Sequence, residues 1–353
     1  MTPGRRPPWP AVLLALALGV AACAPSRDPV RADTALVTVP PPILTTDRVD
    51  TTTSVGDIAT TSTSTSSTTT TTAKAFVAPA PGSVAVRAAS GVLALWQTFE
   101  PDGHMIVSTP CDRRAAITAS PVVRGVDVLL DPGHGGLDPG AHAESGMTEA
   151  ELNLDVALRV AARLRAAGRT VELTRDGDYF RTIADRARLA VAIMPKAFVS
   201  IHHNSGIDAP SRAGIGSEIY HQRTDTGSRR LGGLVYDELD RALRGFDVPW
   251  TRSGNFGVRS RDNGTGADFY GVLRGSAGVP AILIEGAYLS NVREAAVLAT
   301  DEFRDAEALA VAAGIMRWLT TDDEGSGYQR GFVEPGTGGD TDLTTCRDPD
   351  LDP

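Results

Sequence analysis

Three short apolar segments of this chain each end in a side chain that can bind a metal ion or carry a proton. His134 follows the first segment and lies between glycines, His202 follows the second, and Glu285 is the last residue of the third. The segments are Val126–Leu130, Ala197–Ile201 and Ala281–Glu285. Two histidines and one carboxylate that leave a fourth position open make a catalytic rather than a structural zinc site. Glu149 is a further acidic candidate, but there is no local HExxH spacing, so spacing alone does not establish a metal.

These segments belong to a chain in which predicted strands and helices alternate from Val126 onward. The spacing of apolar residues predicts helices over about 148–168, 182–193, 228–243 and 302–319, and further strands at 171–174 and 217–220. This alternation predicts an α/β fold with a mostly parallel twisted sheet and helices on both of its faces. Because ligand sites in such sheets lie beyond the carboxyl ends of the strands, we expect His134, His202 and Glu285 at one edge.

Glu149 lies in the first turn of the first predicted helix, together with Glu151. The residues Thr148-Glu149-Ala150-Glu151 have the Ser/Thr-x-x-Glu form of a capping box, in which Glu151 reaches back to the backbone amide of Thr148. That role accounts for Glu151. It leaves Glu149 available either to bind a metal or to interact with the helix dipole.

Residues 126–319 resemble the zinc-dependent N-acetylmuramoyl-L-alanine amidases of the Amidase_3 family. Five sequence blocks carry the resemblance, and they follow one another in the order in which the family has them. The blocks are DPGHGGLDPGA at 131–141, Glu149 with Asn-Leu at 153–154, LTRD at 173–176, SIHHN at 200–204 and IEGAYLSN at 284–291.

The resemblance implies a zinc hydrolase that cleaves the amide between the lactyl group of N-acetylmuramic acid and L-alanine of the peptidoglycan stem peptide. Matched residue by residue, it places the zinc ligands on His134, Glu149 and His202, and the catalytic glutamate on Glu285. The implied partners are the stem peptide and the glycan. Arg274 is a candidate for binding a stem-peptide carboxylate, and a salt bridge at the edge of the sheet is the alternative.

This chain departs from the family pattern at two places. The family more often has alanine at the position of His203, and Leu-Gly-Phe at 286–288, where this chain has Gly-Ala-Tyr. Because neighbouring side chains of an extended strand point to opposite faces, we expect His203 to pack away from the cleft. Asp131 and Asp138 flank the His134 loop, and either a contact that orients the imidazole or a turn-forming role explains them.

Two other functions compete with hydrolysis of this amide. A non-catalytic peptidoglycan-binding lipoprotein would be expected to have lost a ligand or Glu285, and this chain retains all of them. A zinc peptidase that acts on protein is compatible with the same metal site. Some family members also carry an inserted helix that plugs the zinc site. The segment between His202 and Tyr220 is too short and too rich in turn-forming residues for such a plug, which predicts an open cleft.

The N-terminus predicts export. Arg5 and Arg6 precede an apolar run, Ala11–Ala22, that is too short to span a bilayer comfortably. The run ends in Val-Ala-Ala before Cys23, which resembles the lipobox of bacterial lipoproteins. We therefore expect a lipid anchor at Cys23 and a location at the outer face of the cell membrane or in the cell wall; an ordinary signal peptide is the alternative. The formal charge of −9, without a Lys/Arg-rich patch, argues against nucleic-acid binding.

Composition divides the chain into further parts. We expect a signal peptide at 1–22, the lipobox cysteine and a disordered Ser/Thr/Pro linker at 23–74, a small β module at 75–120, a catalytic domain at 121–321 and a flexible tail at 322–353. Ser90-Gly91 and Asp102-Gly103 predict hairpin tips in the β module. Cys111 and Cys346 are the remaining cysteines, and in an exported protein they form either one disulfide or two free thiols.

Overall fold

The computed structural model describes residues 80–206, 216–246, 257–336 and 343–352. The expected signal peptide, Cys23 and the Ser/Thr/Pro linker lie outside these residues. The same holds for the start of the β module and for residues 207–215, which belong to the segment expected to leave the cleft open. Within the described ranges, none of the helices has the length and apolar character needed to cross a bilayer.

The first described residues form a five-stranded antiparallel sheet. Its strands are β1 (Ala85–Arg87), β2 (Leu93–Phe99), β3 (Met105–Ser108), β4 (Arg114–Ile117) and β5 (Val122–Val123), in the order β4-β3-β2-β1-β5. Gly91 and Gly103, at the two expected hairpin tips, have φ angles of +95° and +93°, which glycine adopts without strain. The sheet extends past the expected boundary at residue 120, because β5 pairs with β1.

A six-stranded sheet forms the centre of the catalytic domain. Its strands are β6 (Val128–Pro132), β7 (Val171–Leu173), β8 (Ala197–Asn204), β9 (Glu218–His221), β10 (Gly257–Arg259) and β12 (Ala281–Tyr288), while β11 (Arg261–Asp262) lies outside it. The spatial order is β10-β9-β12-β8-β6-β7. The last four strands of this order are parallel, whereas β9 is antiparallel to β12 and parallel to β10. The sheet is therefore mixed: four of its five neighbouring strand pairs are parallel, so the expectation of a mostly parallel sheet is confirmed in part.

Helices cover both faces of the six-stranded sheet. They are α1 (Glu149–Ala166), α2 (Ile183–Ile193), α3 (Thr226–Leu243), α4 (Gly271–Gly275), α5 (Val292–Leu298) and α6 (Asp301–Thr320). Side chains alternate along a strand, so Val128 and Leu130 of β6 belong to the buried cluster that includes residues of α1, α3 and α6. Leu129 belongs to the cluster on the other face, which includes residues of α2 and α4. The expected arrangement of helices on both faces is confirmed.

The β module shares a core with the catalytic domain. Ala85, Leu93 and Leu95 belong to the same buried cluster as Leu189 and Ile193 of α2. A module of about 40 residues is marginal on its own by size. Its packing on α2 adds buried apolar surface that stabilises the module.

The residues after Thr321 correct the expectation of a flexible tail at 322–353. β13 (Phe332–Val333) pairs in parallel with β11, and Leu351 is buried in the core of the β module. A disulfide joins Cys111 and Cys346, whose Cα atoms are 6.0 Å apart. The bridge, rather than two free thiols, is therefore present. The described part of this segment is packed on the domain. Although its composition is polar, the disulfide, the β11–β13 pairing and the burial of Leu351 hold it in place.

Candidate functional site

Parallel strands bring the expected site residues to one edge of the sheet. β6, β8 and β12 are parallel neighbours, so their carboxyl ends meet at the same edge. Glu285 of β12 is paired in register with His202 of β8. His134 comes two residues after β6, and Glu149 is the first residue of α1.

His134, Glu149 and His202 form a cluster in which each residue places one possible ligand atom within 4.8 Å of the other two. Glu149 Oε1 lies 3.1 Å from His134 Nε2 and 3.0 Å from His202 Nδ1. Glu149 is buried and both imidazoles are half-buried. Two nitrogens and one carboxylate oxygen are a donor set that suits zinc, and three protein ligands leave one position for water or substrate.

The charges in this cluster favour a bound cation. Burial tends to raise the pKa of Glu149, but hydrogen bonds and charge from His134 and His202 hold that pKa well below its ordinary value. Burial tends to lower the pKa of His134, but the Asp138 and Glu149 carboxylates raise it to about 10. Burial also holds the pKa of His202 below its ordinary value. The protonated His134 thus places Nδ1–H opposite Asp138 and Nε2–H opposite Glu149. A divalent cation would replace the Nε2 proton and leave both imidazoles neutral.

Glycines allow the loop that carries His134 to approach the other two residues. A Cβ at Gly133 would overlap the imidazole of His202. A Cβ at Gly140, whose φ is +67°, would lie 2.6 Å from Glu149 Oε2 and 2.8 Å from His134 Cδ2. Only glycine fits at these two positions while the three side chains remain together.

Asp138 holds the imidazole of His134 in one orientation. Its Oδ2 lies 2.8 Å from His134 Nδ1, the ring nitrogen opposite the one that faces Glu149. Its Oδ1 accepts a hydrogen bond from the Gly140 N–H at 3.2 Å, which closes the turn. Asp138 therefore has both of the roles that the sequence left open. A carboxylate on the outer nitrogen of a ligand histidine also fixes the ring tautomer.

Asp131 is linked to the His134 loop through Arg186. It is 1% exposed and accepts hydrogen bonds from Thr174 Oγ1 at 2.6 Å and Ser200 Oγ at 2.7 Å. Arg186 donates one N–H to Asp131 at 2.8 Å and another to the backbone carbonyl of His134 at 2.6 Å. Asp131 thus ties β6 to its neighbouring strands and keeps Arg186 in place on the loop.

Arg175 is a second buried arginine that sequence reasoning did not identify. Its Nη2 donates to the carbonyls of Gly133 and Ala150, both at 2.8 Å, and its Nε donates to Pro132 at 2.9 Å. Burial lowers the pKa of Arg175 to about 10. The guanidinium fastens the start of the His134 loop to the first turn of α1. The feature of the sequence that could have identified Arg175 is its position in the LTRD block.

His203 packs away from the cleft, as expected, and belongs to a buried polar network. Its Nδ1 lies 2.8 Å from Asn153 Oδ1, and its Nε2 lies 3.3 Å from Glu307 Oε2 of α6. The backbone N–H of His203 donates to Glu149 Oε1 at 3.2 Å. A Cβ at Gly286 would overlap Glu307 Oε1 and lie 3.0 Å from His203 Nε2. The two departures from the family pattern are therefore neighbours, and the small residue at 286 makes room for the imidazole and the carboxylate.

Glu285 provides an unpaired acceptor close to the cluster. It is 8% exposed, and its Oε2 has no hydrogen-bond partner among the described residues. Burial raises the pKa of Glu285 well above its ordinary value, and the charges of Glu149 and Glu218 raise it further. A carboxylate with a raised pKa takes up a proton more readily near neutral pH.

Arg274 lies apart from these residues, on α4. Its side chain is exposed, and its Nη1 donates to the backbone carbonyls of Asp268 at 2.7 Å and Phe269 at 2.9 Å. Among the described residues, it is not one of those that line the cavity beside the cluster. The structure therefore shows a contact with the backbone, and the binding of a substrate carboxylate by Arg274 stays a prediction.

A cavity of about 440 Å³ adjoins the cluster, with His134 and His202 in its wall. Much of the remaining wall is apolar, and the side chains that form it include Phe180, Ile183, Tyr270, Val272, Leu283 and Leu343. This volume lies in the usual range for ligand pockets. The cluster therefore faces a space that can hold part of a peptide or sugar chain.

Comparison with known proteins identifies the class to which this fold and site belong. Residues 128–317 match the family model Amidase_3, N-acetylmuramoyl-L-alanine amidase. This match covers more than half of the 353 residues, so the chain belongs to that family. The family is one of hydrolases that act on peptidoglycan.

Individual relatives cover the same region. The chain is 33% identical over 201 residues to the N-acetylmuramoyl-L-alanine amidase LytC of Bacillus subtilis, an alignment that covers 56% of this chain and 36% of LytC. It is 32% identical over 222 residues to the endolysin of Bacillus phage SPP1, covering 63% of this chain and 76% of the endolysin. The solved structure of Cwp6 from Clostridium difficile aligns with a TM-score of 0.50 at 29% identity, over 58% of this chain and 32% of Cwp6. The chain thus spans about a third of LytC and of Cwp6.

Proposed function

We propose that this chain is a zinc-dependent enzyme, which hydrolyses the amide between the lactyl group of N-acetylmuramic acid and L-alanine of the stem peptide. One observation carries the proposal: His134, Glu149 and His202 lie together, with the unpaired carboxylate oxygen of Glu285 nearby. The donor set fits zinc, because two imidazoles and a carboxylate are common ligands of catalytic zinc sites. When bound, zinc would polarise the scissile carbonyl and lower the pKa of a water molecule toward ~7.

The protein's own residues perform the remaining steps. Asp138 keeps Nε2 of His134 directed toward the cluster. Glu285 Oε2 takes a proton from the attacking water and passes it to the departing amine of L-alanine. The raised pKa of Glu285 suits this transfer, since a more basic carboxylate holds the proton between the two steps.

Incubation of the purified protein with muropeptides of known structure tests the proposal. We expect free stem peptides that begin with L-alanine and glycan fragments that keep the lactyl group, both detected by mass spectrometry. A chelator should stop the reaction, and added zinc should restore it. Binding without any cleavage would instead indicate a peptidoglycan-binding lipoprotein, and cleavage confined to peptide bonds would indicate a zinc peptidase.

We also propose that the protein is exported and anchored by a lipid at Cys23. Support comes from Arg5, Arg6 and the apolar run that ends at Cys23. The disulfide between Cys111 and Cys346 is consistent with an oxidising compartment. Cys23→Ser should move the protein from the membrane fraction to the soluble fraction. Unchanged fractionation, together with an unmodified Cys23 in the mature wild-type protein, would refute the anchor.

A further inference from the structure

The wall of the cavity beside the cluster includes residues from outside the region that matches the family. Leu343 lies in the cavity wall and begins a short 3-10 helix, Leu343–Thr345, in the C-terminal segment. Asp112, in the turn between β3 and β4, lies in the same wall. The family match starts at residue 128 and ends at 317. Both residues are therefore supplied by parts of this chain that flank the amidase domain.

The C-terminal segment is fastened to the β module beside the cavity. Cys346, three residues after Leu343, forms the disulfide with Cys111. The backbone N–H of Cys111 donates to Asp348 Oδ1 at 2.8 Å, and the N–H of Cys346 donates to the carbonyl of Leu343 at 3.0 Å. These contacts fix the position of Leu343 relative to the β module.

The disulfide also belongs to an apolar cluster that reaches the catalytic loop. Cys111, Cys346 and Phe180 are each 5% exposed or less, and Leu137 and Leu343 pack against them. Leu137 lies in the loop that carries the first histidine of the metal-binding cluster. Phe180 and Leu343 face the cavity. The disulfide therefore connects the catalytic loop to one wall of the cavity.

We propose that the C-terminal segment 343–352, held by the Cys111–Cys346 disulfide, is a substrate-binding wall of the cleft, and that Leu343 contacts the stem peptide. This inference rests on the proposed function, because the stem peptide is the occupant. His134 and His202 lie in the same cavity, so a substrate whose scissile amide is at the cluster extends along this wall. Alanine methyl groups of the stem peptide match its apolar surface.

Two charged residues of this wall, Asp112 and Arg186, have ion-pair partners within the protein. Asp112 Oδ1 lies 2.7 Å from Arg188 Nη2. Arg186 Nη1 lies 2.8 Å from Asp131 Oδ1. Leu343 and Phe180 are therefore among the apolar groups that the cavity wall offers to a substrate.

Leu343→Ala tests the wall at a half-buried side chain, where truncation costs less packing than in a fully buried core. We expect the KM for a soluble muropeptide to rise about fivefold with kcat nearly unchanged, because an apolar contact is made equally in the ground and transition states. Zinc content should stay at the wild-type level. Leu158→Ala, at a 40% exposed position on α1, is the matched control and should leave KM unchanged.

A Cys111→Ser/Cys346→Ser double variant tests the fastening of the wall. We expect its KM to rise at least as much as in Leu343→Ala, with zinc still bound; if it does not fold, Leu343→Ala decides alone. An unchanged KM in Leu343→Ala, or an equal rise in Leu158→Ala, would overturn the substrate-binding wall while the wild-type enzyme remains active. An inactive, zinc-loaded wild-type protein would instead overturn the proposed function.

Discussion

Asp138 Oδ2 lies 2.8 Å from Nδ1 of His134, whose other ring nitrogen lies 3.1 Å from Glu149 Oε1. The carboxylate sets the rotation of the ring and, by accepting a hydrogen bond from Nδ1–H, leaves Nε2 as the nitrogen that can bind a metal. The orientation of one proposed zinc ligand thus depends on a residue four positions further along the same loop.

Asp138→Ala should weaken zinc binding by about 10- to 100-fold, because the imidazole of His134 loses the partner that orients it. Competition with a chromogenic chelator would measure the affinity. Asp178→Ala is the matched control, since Asp178 accepts a hydrogen bond from the Gly136 N–H in the same loop at 2.7 Å. An unchanged affinity in Asp138→Ala, or an equal loss in the control, would show that Asp138 does not orient the ligand.

Asp131→Asn should destabilise the fold by about 3–5 kcal/mol, because the guanidinium of Arg186 would stay buried without its counter-charge. Burial tends to raise the pKa of Asp131, but Arg186 and two hydroxyl hydrogen bonds hold it below its ordinary value. The stabilisation is therefore present above the unfolded-state pKa of about 4 and is lost as the pH falls toward the lower folded-state pKa.

Urea unfolding of the wild-type protein and of Asp131→Asn at several acidic pH values would measure how this stabilisation depends on pH. The difference in unfolding free energy between wild-type protein and Asp131→Asn should narrow below about pH 4. A difference that stays constant down to the acid limit of the measurement would mean that the charge of Asp131 does not contribute.

Gly286→Ala should destabilise the protein by about 1–3 kcal/mol, since the new methyl group would overlap Glu307 Oε1 beside His203. Glu307→Ala removes the obstructing atoms. The double variant should therefore be less destabilised than the sum of the two single variants, which denaturant unfolding would show. Strict additivity would contradict the close approach of residues 286 and 307.

Hydrophobic periodicity predicted the elements that position the candidate site. The strands that contain His202 and Glu285 are confirmed, as is the helix that begins at the capping box. Thr148 Oγ1 accepts from the Glu151 N–H, and Glu151 Oε2 accepts from the Thr148 N–H, both at 3.2 Å. Hydrophobic periodicity and capping motifs involve residues that are close in sequence, so they can be recognised from the sequence alone.

Strand direction and buried charge could not be predicted in the same way. The four residues of β9 have the same polar and apolar pattern in either direction. The sequence therefore does not indicate that β9 pairs antiparallel with β12. Arg175 and Arg186 bind carbonyl groups that lie 42 and 52 residues away in the chain. Composition also predicted a solvated C-terminal segment, whereas one disulfide and the burial of Leu351 are enough to pack it on the domain.

Glu149 and Glu285 are assigned different roles, metal ligand and proton carrier, and substitution should separate them. Glu149→Ala and Glu285→Gln should both abolish amide hydrolysis. Glu149→Ala removes one of three ligands, so zinc affinity should fall steeply. Glu285→Gln is nearly isosteric and removes only the base, so zinc should stay bound. Glu151→Ala is the control, because it loses only a helix-cap interaction of ~1 kcal/mol.

Zinc content by mass spectrometry, measured with turnover of muropeptides on the same three variants, tests these roles most directly. We predict that Glu149→Ala is inactive and poor in zinc, that Glu285→Gln is inactive and loaded with zinc, and that Glu151→Ala is active. Loss of zinc from Glu285→Gln, or turnover by a Glu149→Ala protein that keeps its zinc, would contradict the assignment.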